Sequence, residues 1–400
     1  MEAHHYCVTM TAGIAVRATV LSLAAVLLLA GCSPDATASG KPSAHPTSAS
    51  DSNDSNDSDD AGKGGNPTPV PFVDLDCAGL VDASLATSSI VDPVTLQQAV
   101  LSQGYLLTDG LPSIHEPPTF ATRIASGFTC EWSNGQSQVL DVAQNPDYSG
   151  FILDVLPDAS AYWTQYLAYL AGYGLNTEYC QQYDKSECDI DTLIDGTWYH
   201  LRAYGVNVPA GAGDAAVAAA GHAIVNNAAA AIAAASASTD EPGDPDGTAT
   251  LSSECAQFFS PAQLAAAAGE PLELTVDSSA PQIAGFGAAA NLAASVDYCS
   301  WHGTANPDFD YDALLVSWLQ GGEWAFNQLA DAGAFSGATT LAVPGLGSDD
   351  SAKLQCVDDR CSVDLLVAHD WIWFSVRPSA STTPTAAATA LATAIVSAVG

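Results

Sequence analysis

Three sets of residues in this chain have types and spacings that could do chemistry. They are a cysteine behind an apolar run, eight further cysteines in a repeated order, and a helical row of tyrosines. The first is Cys32, which closes Leu29-Ala30-Gly31-Cys32 after the apolar stretch 18–30. Small residues before a cysteine suit a signal peptidase, and the thiol is then the acceptor for a diacylglycerol. A transmembrane anchor is the competing reading, but a spanning helix needs about 20 apolar residues and this run is shorter. Each buried CH₂ contributes about 0.8 kcal/mol, and one acyl chain alone holds only marginally, so a diacylated cysteine meets the requirement for stable anchoring. The expected product begins at Cys32, follows a signal peptide of residues 1–31, and sits lipid-anchored on the extracytoplasmic face of the cell membrane. Translation is expected to start at Met10, which leaves Arg17 as the signal's positive charge and sets Cys7 aside.

The eight remaining cysteines form two sets of four: Cys77, Cys130, Cys180 and Cys188, then Cys255, Cys299, Cys356 and Cys361. In an exported chain such sets read as disulfides, with three pairings open to each. The favoured pairings are Cys77–Cys130 with Cys180–Cys188, and Cys255–Cys299 with Cys356–Cys361. The late pairs flank short polar segments and would staple a strand–loop–strand. The early pairs would tie a helical region to a later strand. Closing the longer loop stabilises by about 4 kcal/mol on the chain-entropy model, and the shorter one by less. Zinc is the alternative, but no C-x₂-C pair is present and the compartment is oxidising.

The elements that would position these cysteines also repeat. A helix is expected over 92–104, opening with Asp92-Pro93, and another over 261–269, opening with Ser260-Pro261; each ends at a glycine. Cys130-Glu131-Trp132 matches Cys299-Ser300-Trp301, and a helix carrying Tyr162 and Leu167 matches one carrying Trp324 and Leu329. From Cys188 the halves align without a gap, so that Ile190, Asp191 and Trp198 fall on Val363, Asp364 and Trp371. Alternation makes these strands, with Ile190 and Ile194 on the face of Cys188 and the aspartates on the opposite, solvated face. The turns before the last strands are placed at Asp195-Gly196 and His369-Asp370. An Ala-rich helix closes each half. The fold class is therefore α+β: two tandem related domains, each a largely antiparallel sheet with packed helices and a C-terminal Ala-rich helix, stapled by disulfides. The expected limits are 72–236 and 251–400, joined by a linker at 237–250.

Residues 32–71 are Ser, Asp, Pro and Gly with little to bury, and are expected to form a disordered acidic tether reaching about 35 Å from the membrane. Its Asp/Asn/Ser run lacks the turn glycine and terminal glutamate of a calcium loop. The whole chain carries a net charge of −36, which repels nucleic acid. The membrane is expected as a partner only through the lipid on Cys32.

The segment Cys255-Ala256-Gln257-Phe258-Phe259-Ser260-Pro261-Ala262-Gln263-Leu264, the Cys299-Ser300-Trp301 motif and the Val343-Pro344-Gly345-Leu346-Gly347 turn together resemble a family of actinobacterial cell-envelope lipoproteins of unknown function. The resemblance implies an envelope location and an α+β fold, and supplies no catalytic residue. The first half keeps the cysteine and tryptophan positions but lacks the Val-Pro-Gly turn.

No nucleophile elbow, zinc-protease motif or phosphate loop is present. The histidines are isolated: His200 falls on Trp373, His302 on Ser133 and His369 on Gly196. No catalytic residue, metal ligand set or cofactor is expected, and the chain is read as a non-enzyme. What stands out is Tyr162, Tyr166, Tyr169 and Tyr173, at helical spacing on one stripe. Tyrosine joins an apolar ring to a polar tip and suits wet recognition of glycans or peptides. The stripe is the candidate binding surface, and packing against the sheet is its structural alternative. The function expected is a non-catalytic binding or interaction module for an envelope protein or glycan. The alternative is a carrier of a lipid or other apolar ligand, and an envelope hydrolase ranks third. Metabolic labelling with a clickable fatty acid checks the anchor: Cys32→Ser should abolish both labelling and membrane association, and unchanged labelling would refute the assignment.

Overall fold

The computed structural model describes residues 69–90, 95–97, 116–136, 139–140, 143–183, 185–238, 251, 254–277, 283–303, 313–331, 333–379 and 381–399. Cys32, the tether up to residue 68 and most of the linker lie outside them.

The first domain runs α1 (Cys77–Leu80), α2 (Ala83–Ser89), β1 (Thr95–Gln97), a 3₁₀ turn at Pro117–Phe120, α3 (Ala121–Ile124) and β2 (Phe128–Ser133). A small hairpin follows, β3 (Val139–Leu140) with β4 (Ala143–Gln144). Then come β5 (Gly150–Leu156), α4 (Ser160–Tyr173), β6 (Glu178–Gln182), β7 (Ser186–Ile194), β8 (Thr197–Tyr204) and α5 (Asp214–Ala234). The second domain has a 3₁₀ turn at Cys255–Gln257, α6 (Pro261–Ala268), β9 (Leu272–Asp277), α7 (Phe286–Ala293), β10 (Asp297–Gly303) and β11 (Leu314–Leu319). It continues with α8 (Glu323–Asp331), β12 (Thr339–Thr340), β13 (Ser351–Val357), β14 (Arg360–Val367), β15 (Asp370–Val376) and α9 (Pro384–Val399).

The two sheets have one topology. The first is ordered β1-β2-β5-β8-β7-β6 and the second β9-β10-β11-β15-β14-β13-β12. Every described pairing in them is antiparallel. Local signals set the matching hairpins. Asp195 and Gly196 both have positive φ, as do Ala368 and His369, and paired left-handed residues match the twist of antiparallel strands. The second turn thus sits one residue earlier than expected, and Asp370 already belongs to β15. Helix α6 has the Ser260/Gln263 capping box, Pro261 in its first turn and a left-handed Gly269 cap. The first domain departs from expectation at the same point. Its capped helices are α1, held by Asp76, and α2, held by Asp82, whereas Thr95, Leu96 and Gln97 pair as a strand with Ser133, Trp132 and Glu131. The expected helix over 92–104 is overturned there, and its other residues, apart from these three, lie outside the described ones. The tertiary opportunity of an open edge on β2 outweighs the local Asp-Pro signal.

All four favoured disulfides form: Cys77–Cys130, Cys180–Cys188, Cys255–Cys299 and Cys356–Cys361. The early pairs fasten the opening helical turn of each domain to the Cys-x-Trp strand, and the late pairs cross the β6–β7 and β13–β14 hairpins.

One face of each sheet is closed by its own Ala-rich helix. By length and composition α5 could cross a membrane, but here it lays Val217, Ile224, Val225 and Ala228 on the first sheet. Its closest approach is at Gly221, where an added Cβ would lie 2.7 Å from Ile190 and 2.9 Å from the Cys188 sulfur. Helix α9 does the same for the second sheet with Ala388, Leu391, Ala392 and Ile395.

The other faces are not solvated. They join in a third core drawn from both domains, which includes Leu156, Tyr166, Trp198, Phe286, Leu319, Leu366, Trp371 and Trp373. The exchange is reciprocal. Phe120 of the first domain packs edge-on against Trp371 and Trp324 of the second, at 5.5 and 5.6 Å between centroids. Phe286 of the second packs edge-on against Trp198 of the first, at 5.5 Å. Trp198 and Trp371 are matched positions, and each phenylalanine precedes the helix or opens it before its own Cys-x-Trp strand. Arg123 adds a hydrogen bond to Gln328 (2.9 Å) across the same junction. Replacing Phe286 by Ala should cost about 3–5 kcal/mol, and calorimetry should show one transition moving down as a whole. Two separate transitions, only one of them shifted, would refute a core common to both domains.

Candidate functional site

Asp191 leaves the core face of β7 and enters the shared core, where it is 8% exposed. A carboxylate there needs full hydrogen bonding. Its Oδ1 accepts from Trp198 Nε1 (2.8 Å) and pairs with His200 Nδ1 (3.0 Å), and its Oδ2 accepts from the Tyr166 hydroxyl (2.7 Å). Phe286 stacks on the imidazole at 5.5 Å. Burial pushes the Asp191 carboxyl up, but the hydrogen bond and charge of His200, with the Tyr166 and Trp198 donors, bring it below its ordinary 3.8. For His200 burial opposes the charge, and the hydrogen bond to Asp191 with that group's charge still raises it above 6.5. While the imidazole is protonated the two form a buried ion pair. This corrects the reading of the aspartates as a solvated strand face: alternation assigns Asp191 to the side away from Cys188, and that side is covered by the other domain.

The match in the second domain is Asp364, which accepts from Trp371 Nε1 (3.1 Å). Position 373 is tryptophan where the first domain has His200, so this carboxyl has no imidazole opposite it. Burial, and then the nearby Glu116, push Asp364 up to about 8. Burial likewise drives Glu116 up to about 8, partly offset by Arg360. Two matched aspartates thus hold opposite protonation states near neutrality.

The strand registers extend the comparison. Thr129, Glu131, Asp154, Asp189 and Arg202 of the first domain correspond to Tyr298, Ser300, Ser317, Ser362 and Ser375 of the second. In the first domain these residues interlock: Asp154 accepts from Thr129 (2.8 Å) and Arg202 (3.1 Å), and Glu131 accepts from the Tyr148 hydroxyl (3.0 Å). Ligand atoms of Asp189, Asp191 and His200 lie within 4.8 Å of one another, the one such grouping among the described residues. Both Asp191 oxygens are already engaged by protein donors, which suits holding an anion in place. The Tyr166 hydroxyl donates to Asp191, so His200 does not activate it as a nucleophile.

The tyrosine stripe divides. Tyr166 is buried in the hub just described, Tyr162 and Tyr169 are half-buried, and Tyr173 is 66% exposed. Tyr166 is therefore unavailable to a ligand and its replacement would break the Asp191 cluster. Tyr169 and Tyr173 lie 4.7 Å apart at the outer end of α4. There they meet residues the sequence did not single out. Among the described residues six large hydrophobic side chains are exposed, and five of them belong to α4, β6 or the residues that flank β6: Leu167, Tyr173, Leu175, Tyr179 and Tyr183. Beside Tyr183 opens a cleft of ≈ 630 Å³ lined by Asn134, Asp147, Gln182, Lys185 and Ser186 among others. Lys185 reaches over it to the Tyr148 carbonyl (3.0 Å). The alternation of tyrosines at 179 and 183 with glutamines was the available signal.

Comparison with protein-family models, curated proteins and solved structures gives no match to this chain.

The pH dependence of stability separates the two aspartates. The Asp191 contribution is present above 3.8 and lost as pH falls through its lowered value. That of His200 is present below 6.5 and lost as pH rises through its raised value, so the pair is fully effective between these limits. Asp364 works in reverse: the unfolded chain ionises from 3.8 upward while the folded carboxyl resists until about 8, so its penalty grows across that interval. Thermal melts should show Asp364→Asn raising the midpoint at pH 8 and changing it little at pH 4. Asp191→Asn should lower it most near pH 5. Equal effects of both variants at both pH values would contradict the assignment.

Proposed function

We propose that this chain is a lipid-anchored protein of the extracytoplasmic face of the cell membrane, acting as a non-catalytic binding module of the cell envelope. The observation that carries the reading is the clustering of exposed apolar side chains at the outer corner of the first domain, next to an open polar cleft. Monomeric proteins rarely leave such a patch without a partner, and the cleft falls in the size range of ligand sites. The anchor rests on the Leu-Ala-Gly-Cys sequence at residues 29–32, and the four disulfides suit an oxidising compartment. The resemblance to actinobacterial envelope lipoproteins supports the same location. The net charge of −36 argues against a nucleic-acid partner.

A carrier of a lipid or other apolar ligand is the second reading. It is favoured by a notch of ≈ 330 Å³ at the opposite end of the first sheet, lined by Val73, Ile194, Tyr199 and Ile232 among others. That is near the lower limit for a ligand site, so the outer corner ranks first.

Photo-crosslinking in the native membrane tests the corner. A photoreactive residue replacing Tyr173 or Tyr179 should give discrete adducts, whereas one at exposed Thr340 should not. Such surface replacements should change stability by no more than about 0.5 kcal/mol. The same diffuse products from all three positions would sink the proposal.

A further inference from the structure

The two sheets share their strand order and differ at one edge. In the second domain β12 covers the outer edge of β13: Thr339 pairs with Leu354 and Thr340 with Lys353. The Leu341 N–H then donates to the Ala352 carbonyl (3.0 Å), and Leu341 and Val343 turn into the core. In the first domain the corresponding edge strand is β6. The registers equate Cys180 with Cys356 and Glu178 with Leu354. Here α4 ends at Tyr173 and β6 begins at Glu178, so the chain between them has no room for a covering strand. Among the described residues nothing pairs with the outer edge of β6.

The backbone at that edge is oriented for pairing. The Asp191 N–H donates to the Thr177 carbonyl (2.7 Å). In an antiparallel ladder this makes Thr177, Tyr179 and Gln181 the residues bonded to β7, and turns the N–H and C=O of Glu178 and Cys180 outward. The Cα–Cα distance of 4.0 Å between Cys180 and Cys188 fits the closer, non-hydrogen-bonded pair. The next outward amide, that of Gln182, is already taken by the Asp214 carboxylate (2.8 Å). The free stretch is therefore short, like the one that β12 fills.

We propose that the open edge of β6 receives an extended polypeptide segment as an added strand, so that the partner of this surface is a peptide held through its backbone. The inference rests on reading this corner as the binding surface. Side chains of an added strand would alternate between two environments. On one side Tyr179 shares the face of Asp189, towards α4 with Tyr173 and Leu175. On the other Glu178 stands beside His222 of α5, at 2.8 Å. The segment that fits is apolar or aromatic at alternate positions and neutral or basic between them. A second copy of this chain fits poorly, because joining two β6 edges brings two Glu178 carboxylates and two chains of −36 together.

The probe is a synthetic peptide of residues 336–343, which contains the segment that covers the matching edge and reaches Cys180 in the same register; it carries Thr339→Lys to face Glu178 and Ala338→Leu to lie beside Tyr179. It is titrated onto the intact chain, with hydrogen exchange read at the Glu178 and Cys180 amides. Binding should slow exchange at both. Two further peptides, N-methylated at one or the other set of alternate residues, separate backbone pairing from side-chain contact without altering the protein. One set should bind as the parent does, and the other should lose affinity by about tenfold or more. Glu178→Pro, which removes an outward N–H and leaves the β7 bonds in place, should abolish binding, whereas Glu178→Ala should retain it. Equal behaviour of the two methylated peptides, or no protection at Glu178 and Cys180, would overturn strand addition. Should photo-adducts at Tyr173 persist in Glu178→Pro, the corner binds a partner by another mode and only the present inference falls. Their absence from the unaltered chain would remove both. Chain dimers appearing at the edge would identify self-pairing and also refute it.

Discussion

A carboxylate between two sheets must be answered by donors on every side, and Asp191 draws them from elements that would otherwise be free to slide. Trp198 and His200 come from β8, and Tyr166 comes from α4. A slip of one residue between β7 and β8 would turn Asp191 into the opposite core, among Ile190, Leu201 and the α5 side chains. The carboxylate thus fixes strand register, the seat of α4 and, through Phe286 stacked on His200, the approach of the second domain. The outer end of α4, and with it the exposed tyrosine corner, is held in place from this buried point.

The two domains show how one scaffold carries different chemistry on matched positions. The disulfides, the Trp198 and Trp371 anchors and the hairpin turns are common to both. The shared-core face is charged in the first domain and largely serine in the second. A histidine at 200 keeps one aspartate ionised, and a tryptophan at 373 leaves its counterpart protonated. The edges diverge as well. The segment containing β12 and the Val-Pro-Gly turn closes the second sheet, and its absence from the first leaves hydrophobic side chains in solvent.

The parts of this fold legible in the sequence were those set by neighbouring residues. Ser260-Pro261 and Gly269 bounded α6, the cysteine order gave the pairings, and the gapless alignment after Cys188 gave equivalent hairpins. What escaped depended on the other domain. Strict alternation in Cys188-Asp189-Ile190-Asp191 separates two faces but does not say that both are covered. Trp198 and His200 lie on the same side as the aspartates, and that was the one hint of burial. The tyrosine row lies on one helix, yet its partition between Asp191 and solvent follows from where the stripe crosses the rim of the sheet. Nothing local marks Thr95-Leu96-Gln97 as a strand; it is one because β2 offers it an edge.

The reciprocal contact of Phe120 with Trp371 and of Phe286 with Trp198 has the form of an isologous interface, in which each partner presents the same patch to the other. A chain with one such domain would expose that patch and could cover it only by meeting a second copy. Such a pair forms at a rate and to an extent set by protein abundance. Joining the copies through a short linker replaces abundance with a fixed local concentration, on the order of millimolar for flexible connections. It also releases the halves from identity: once they travel together, only one need keep a closed edge, and the other can leave its edge to the surroundings.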